Sequence, residues 1–334
     1  MKPPTVAEKW NTPKLWWLIA GLSVGFIYGA VFIRHQVFPH SWVKRILYGN
    51  EVDSTKTGPW SIGIYEGNSP FNLQPASSAK NPVISAKDVS DIDAVFAADP
   101  FFIQSNHQFF LFFEALNRST NAGDIAYAES QDGYHWQYKK VVIDEPFHLS
   151  FPYVFEWQGV YYMIPESNRD YSLRLYRATN FPDKWELDTI LLSGYKFVDP
   201  AIVRHQNRWW LFLSSVDDDI LNIYFSDSLH QGWRPHPLNP VVKFNRHIAR
   251  PGGRIFQYDG KLYRMAQDDE PEYGLQVFAV EILELTDSTY KEQPIMDKPI
   301  VAGSGRGWNK AGMHHVDLLP VGNKWIAVTD GRVE

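Results

Sequence analysis

The chain has 334 residues and no cysteine, so its length suits one large all-β or α/β domain or two ordinary ones, and disulfide and thiol chemistry are excluded. Its formal net charge is -6 and no basic block occurs beyond the first fifty residues, which argues against a nucleic-acid partner. Aromatic residues reach 15%; such residues favour pleated strands and also stack on the apolar faces of sugar rings.

After a tail at 1–14, "LWWLIAGLSVGFIYGAVFI", Leu15 to Ile33, holds no charged residue over nineteen positions, about what a helix needs to cross a bilayer. Trp10, Trp16, Trp17 and Trp42 flank it, as interfacial aromatics do. A cleaved signal peptide would end its apolar core at a small-residue site, whereas this run ends "AVFIRHQ", so an uncleaved transmembrane helix and signal anchor is expected. Gly21, Gly25 and Gly29 share one face of that helix and would let a second copy approach as a homodimer. Lysines and arginines are even on its two sides; we expect a single-pass membrane protein with the large domain outside the cytoplasm. A juxtamembrane linker covers 34–59, and the folded domain is expected at 60–334.

Five stretches in that domain share a plan: a polar or proline start, an apolar strand, a tight turn, and an aromatic-rich strand. They begin at Asp99 ("DPFFIQSNHQFFLFFE"), Phe151 ("FPYVFEWQGVYYMIPE"), Asp199 ("DPAIVRHQNRWWLFLS"), Arg250 ("RPGGRIFQYDGKLYRMAQ") and His315 ("HVDLLPVGNKWIAVTD"), with starts 52, 48, 51 and 65 residues apart. The turns hold Gly, Asn or Asp, which tolerate tight-turn angles. The first four are followed by a third strand ("DIAYAES", "SLRLYRAT", "LNIYFSDS", "LQVFAVEI") and a weaker fourth. Four antiparallel strands per unit of this period make a β-propeller blade. The fifth hairpin lacks its outer strands, and "SIGIYEGNSP" from Ser61 with "NPVIS" from Asn81 supplies them. The expected fold is an all-β, five-bladed propeller closed by its N-terminal strands.

In a blade, the start of the first strand and the end of the second share one face. That face gathers Asp99, Asp199, Arg250, His314 and His315 from the starts, and Glu114, Glu166, Gln267, Asp268 and Asp330 from the ends, flanked by His148, Tyr153, Arg254 and Trp308. Acids, amides, His and Arg among aromatics suit a polar ligand such as a sugar, and glycoside cleavage needs two opposed carboxyl groups. An Asp before Pro also caps turns, but two at matching places in different blades favour a site. Candidate catalytic residues are therefore Asp99, Asp199 and Glu166. Candidate substrate contacts are His148, Tyr153, Arg250, Arg254, Gln267, Asp268, His314 and His315; the two arginines would either hold an anionic group or pair with the acids. "QDDEPE", from Gln267, otherwise reads as a solvated loop. Adjacent residues on a strand face opposite ways, so the pair in "MHHVD" is not expected to bind a metal, and no cofactor is expected.

The Asp-Pro starts and the fold resemble the five-bladed propellers of family-43 and family-32 glycoside hydrolases. More closely, "WSIGIYEG", "ADPFF", "DEPFHLSFPYVFE", "YMIPES", "FVDPAIV", "ARPGGRIF" and "AQD", in that order, resemble the N-terminal domain of glucosamine inositolphosphorylceramide transferases, from about Trp60 to the C-terminus. In the plant transferases a separate glycosyltransferase domain follows; here the chain ends at Glu334, so transferase activity is not expected. The hydrolase resemblance implies Asp99 as base or nucleophile and Asp199 as the carboxylate that tunes the acid. The hydrolases' general-acid Glu would fall at the start of blade four, where this chain has Ala249 and Arg250. Two readings follow: a membrane-anchored, glycoside-hydrolase-like propeller that processes a glycan or glycolipid, or a non-catalytic glycan-binding scaffold.

Overall fold

A computed structural model describes residues 59–215, 219–295 and 298–334, all within the compact unit Thr57–Glu334. Leu15–Ile33, with its three glycines, lies outside the described residues, as does nearly all of the 34–59 linker. Among the described residues no helix is long and apolar enough to cross a membrane.

The chain opens with β1 (Trp60–Gly67) and β2 (Gln74–Pro75). Blade one is β3 (Ala94–Ser105), β4 (Gln108–Asn117), β5 (Ala122–Ser130) and β6 (Gln137–Ile143). Blade two is β7 (Ser150–Trp157), β8 (Val160–Glu166), β9 (Ser172–Asn180) and β10 (Lys184–Ser193). Blade three is β11 (Phe197–His205), β12 (Arg208–Ser215), β13 (Leu221–Ser226) and β14 (Arg234–Pro235). Blade four is β15 (Phe256–Tyr258), β16 (Lys261–Asp268), β17 (Gln276–Leu285) and β18 (Tyr290–Ile295), with β19 (Val301–Ala302) also on β17. Blade five joins β20 (Val316–Val321) and β21 (Lys324–Arg332) to β1 and β2 in the order β2-β1-β21-β20. The propeller is thus five-bladed and closed by its N-terminus, with β1 and β21 paired from Trp60↔Arg332 to Gly67↔Trp325.

The second strands read as unbroken apolar runs because neighbouring blades cover both of their faces: eight consecutive residues of β4, Phe109 to Leu116, are buried. The outer strands β6 and β10 are exposed or half-buried at all but one position each, which weakens their signal. Two expectations are corrected at blade edges. "NPVIS" is not the fourth strand of blade five; Gln74–Pro75 takes that place, and the later segment adds a single bridge, Ile62↔Ile84. Its likeness to "NPVVKF" has another cause. Asn81 accepts from the Ile64 N–H (2.8 Å) and donates to the Ile64 carbonyl (2.9 Å), and Asn239 does the same to Ile223 (2.8 and 2.7 Å). Each amide replaces a strand in the ladder. In blade four the regular first strand starts at Phe256, not at Arg250. Gly252 and Gly253 lie against blade five, where a Cβ on Gly253 would come within 1.9 Å of the Val316 carbonyl.

An ionic clasp crosses the interior. Arg254 binds Asp317 through Nε (2.7 Å) and Nη2 (3.1 Å), and Asp317 also accepts from the Phe102 N–H (2.9 Å), so blades four, five and one are joined. The guanidinium lies over the Tyr153 ring (4.8 Å), and the Tyr153 hydroxyl donates to the Ile202 carbonyl (2.6 Å), adding blades two and three. Burial works against the Arg254 charge, but Asp317 outweighs it and holds the guanidinium's pKa above its usual range. Removing one partner of such a pair leaves the other charged and unsatisfied. We expect Arg254→Met to lower stability by roughly 3–5 kcal/mol in urea denaturation; a change below about 1 kcal/mol, the scale of a surface pair, would show that the clasp carries little.

Candidate functional site

The repeated Asp-Pro start is a β-bulge. In blade one the register runs Ala98↔Glu114 and then Phe101↔Phe112, so Asp99 and Pro100 together oppose one residue. Blade two does the same at Phe151-Pro152, between Ser150↔Glu166 and Tyr153↔Ile164, and blade three at Asp199-Pro200, between Val198↔Ser214 and Ala201↔Phe212. The bulge residue has left-handed backbone each time: φ is 53° at Asp99, 47° at Phe151 and 50° at Asp199. That conformation costs about 1–3 kcal/mol for a residue with a side chain, least for Asp and Asn. Its N–H leaves the ladder and needs another acceptor.

Carboxylates supply it. The Asp99 N–H donates to Asp330 (3.0 Å), the Phe151 N–H to Asp99 (3.2 Å) and the Asp199 N–H to Glu166 (3.0 Å). The acids at strand ends are therefore drawn to the acids at strand starts. Asp99, Glu114, Glu166 and Asp199 are all buried; burial first, and then the charge of neighbouring acids, raises the pKa of Asp99, Glu114 and Glu166.

Each carboxyl has its own surroundings. Asp330 accepts from the N–H groups of Asp99, His314 and His315 and from His314 Nδ1 (2.8 Å); burial opposes its charge, yet His314 and these donors keep its pKa below the usual range. Asp99 faces His314 Nε2 at 3.4 Å, and burial lifts its pKa to about 7. Glu166 accepts from Asn168 (2.5 Å) as well as from Asp199, and burial and the Asp199 charge push it well above the carboxylate range. Asp199 is gripped through Oδ2 by Arg250 Nε and by the Gln267 amide (3.0 Å). Arg250 lies over the Tyr273 ring at 5.0 Å. Glu114 has an Oε1 with no hydrogen bond, 3.5 Å from His148 Nε2; burial, then Asp99 and Glu166, raise it well above its usual range. Gln267 Oε1 is a second buried acceptor without a donor.

The ring thus brings together Asp99, Asp199, Glu166, His148, Arg250, Gln267 and His314 from the sequence-derived candidates. The others sit apart. Tyr153 and Arg254 belong to the interior clasp. His315 is fully buried, edge-on to Phe101 (4.5 Å) and Phe151 (5.0 Å), with neither ring nitrogen hydrogen-bonded; burial drops its pKa to about 3. Asp268 accepts from His247, the Glu270 N–H and Gln276, holding the loop after β16. That loop is not simply solvated: Asp268 and Asp269 are buried, and Asp269 accepts from the Gly274 N–H (2.8 Å). Sequence reasoning passed over Trp60, which stacks on His314 (4.1 Å between centroids), and Tyr273, edge-on to it at 5.2 Å. Nothing in their spacing marks them; both arrive from loops or termini outside the repeated hairpin.

Among the described residues one trio has metal-ligand geometry: Asp99, His314 and Asp330 offer atoms within 4.8 Å of one another. Both His314 nitrogens already face carboxylates there. Burial opposes the His314 charge, but Asp330 and Asp99 outweigh it and raise its pKa to about 9. The folded value exceeds the ordinary 6.5, so the stabilisation is complete below about pH 6.5 and is lost as pH rises through about 9. Folding stability is accordingly expected to fall between pH 6.5 and 9, by roughly 3 kcal/mol at most from this group. His314→Asn flattens that fall in denaturation curves taken at several pH values; an unchanged slope would refute the assignment.

The sequence model for the N-terminal part of glucosamine inositolphosphorylceramide transferase 1 matches residues 52–332. The rice protein of that name (Oryza sativa subsp. japonica) is 37% identical over 298 residues, covering 82% of this chain but 40% of its own length. The chain therefore spans about two fifths of that relative. An exo-β-1,3-galactanase from Clostridium thermocellum superposes with a TM-score of 0.57 at 16% identity, over 70% of this chain and 55% of that one. The catalytic domain of a family-62 α-L-arabinofuranosidase from Coprinopsis cinerea gives 0.54 at 13%, over 82% and 97%. At such identities the two structures share a fold with this chain. The match to the family model and the identity to the rice protein place the chain itself: it belongs to the family of glucosamine inositolphosphorylceramide transferase N-terminal domains.

Proposed function

We propose that the acid ring is the bed of a central pocket that binds a glycan or the sugar headgroup of a glycolipid and acts on a glycosidic bond there, the propeller being held at a membrane by Leu15–Ile33 on its extracytoplasmic side. The observation that carries this is the pair of buried acceptors, Glu114 Oε1 and Gln267 Oε1, left without donors inside a cluster of four buried acids. Buried acceptors without partners are costly, and a polyhydroxylated ligand brings the hydroxyl donors they lack. The carboxyls also differ in the way acid–base chemistry requires: Asp330 is held ionised, Asp99 is poised near neutrality, and Glu114 and Glu166 favour the protonated form. The name of the rice relative, which pairs an amino sugar, glucosamine, with a lipid, inositolphosphorylceramide, supports the substrate class.

A second reading has its own support. Arg250 and Gln267 both bind Asp199 through Oδ2, which suits a site that orients a sugar without cleaving it. The two readings separate on a glycan panel offered to the full-length protein. The enzymatic reading expects turnover of at least one glycan, a loss of at least about 100-fold in Asp99→Asn and in Asp199→Asn, and binding kept within a few-fold. Micromolar binding with no turnover of any glycan would favour the scaffold.

A further inference from the structure

We propose that Glu114 is the group that protonates the departing oxygen, with His148 as its positioning residue; this rests on the enzymatic reading above. Four observations point to it. First, the other ring acids are committed. Asp99 faces His314 and accepts from Phe151, Glu166 holds Asn168 and Asp199, Asp199 is gripped by Arg250 and Gln267, and Asp330 is saturated by four donors. Glu114 alone of these keeps a buried oxygen with no hydrogen bond.

Second, the backbone makes room for this carboxyl. Gly123, on the adjacent strand β5 two residues from Glu114's partner Ile125, could carry no side chain: a Cβ there would sit 2.6 Å from Glu114 Oε1 and 2.3 Å from the Leu149 carbonyl. Third, the neighbouring imidazole has a fixed tautomer. His148 Nδ1 lies 2.8 Å from the Gly123 N–H, which can only donate, so Nδ1 accepts and the ring proton sits on Nε2. That N–H faces Glu114 Oε1 at 3.5 Å without closing a hydrogen bond, which turns Oε1 toward a donor and leaves Oε2 to carry the acid's own proton. Fourth, the charges around Glu114 favour its neutral form on balance. Asp99, Glu166 and Asp330 oppose ionisation, with Arg169 acting the other way.

The step balances in hydrolysis. The Glu114 Oε2–H bond breaks as the proton passes to the glycosidic oxygen, the bond from that oxygen to the anomeric carbon cleaves, and water adds its oxygen to that carbon. Water's proton goes to the Asp99 carboxylate, and exchange with solvent resets both acids. A sugar hydroxyl in place of water gives transfer with the same proton balance. This answers the absence of a Glu at the start of blade four, where Ala249 and Arg250 stand: the acid comes from the end of the second strand of blade one instead.

The test pairs alkyl with 2,4-dinitrophenyl glycosides of the common sugars, assayed on the full-length protein. Glu114→Gln should slow the alkyl substrates by about 10²–10⁴-fold. It should slow the dinitrophenyl substrates far less, because that phenolate departs without a proton, and it should abolish the fall of kcat/KM at high pH. Equal slowing of both classes, or a retained high-pH limb, would overturn the assignment. Carbon-13 NMR of the glutamate-labelled wild type needs no substitution and adds a second check: a Glu114 carboxyl that titrates in the ordinary glutamate range also overturns it. Wild-type protein that turns over neither class defeats the enzymatic reading and this assignment with it, whereas normal turnover with an unaffected Glu114→Gln defeats this assignment alone.

Discussion

The amide freed at each X-Pro bulge is the constraint on which the rest of the centre depends. A left-handed residue followed by proline takes one N–H out of the ladder, and a buried N–H must find an acceptor. At Asp99, Phe151 and Asp199 the acceptor is a carboxylate carried by a different blade. The acids are thus placed at the axis by backbone need, and the same placement removes them from water and brings them near one another. Fold and chemistry share one set of groups. A substitution in the ring therefore acts on both, which is why binding, protonation and pH dependence discriminate roles there better than loss of activity does.

Beneath the ring, the Arg254–Asp317 clasp with Tyr153 joins all five blades. The two layers divide the arginines of the fourth-blade start. Arg254 is the less exposed and binds Asp317 and the Phe102 carbonyl through Nε and Nη2, whereas the more exposed Arg250 reaches into the ring to grip Asp199. A cation at that place changes what the neighbouring acids can do. It neutralises one carboxyl, Asp199, and in the proposed reaction proton donation therefore falls to an acid that the cation does not touch.

The fold was legible because its signals repeat. Five hairpins of aromatic-rich strands with tight turns gave the blade number, and the mismatch between chain ends gave the closure of the ring through β1. Blade edges were less legible. The Asn81 and Asn239 side chains stand in for strand residues, so a matching "NPV" reads as a strand when it is a side-chain bridge. The two Asp-Pro starts were legible as matching positions on one face, while Phe151-Pro152 was not seen as their equal, since the shared feature is a backbone bulge and not the acid. Tyr153 and Arg254 have the composition of ligand contacts, yet their partners lie in other blades, at separations no local pattern reports. Trp60 and Tyr273 reach His314 from outside the repeat for the same reason.

The central claim is that a sugar occupies the acid ring. The most direct measurement is a crystal structure of the full-length protein with an oligosaccharide that it binds in solution. The expected result is sugar hydroxyls within hydrogen-bond distance of Glu114 and Gln267, with Asp99 and Asp199 alongside. A saccharide seated instead in the cleft lined by His205, Gln206 and Leu285 between blades three and four, with the ring unchanged, would contradict it.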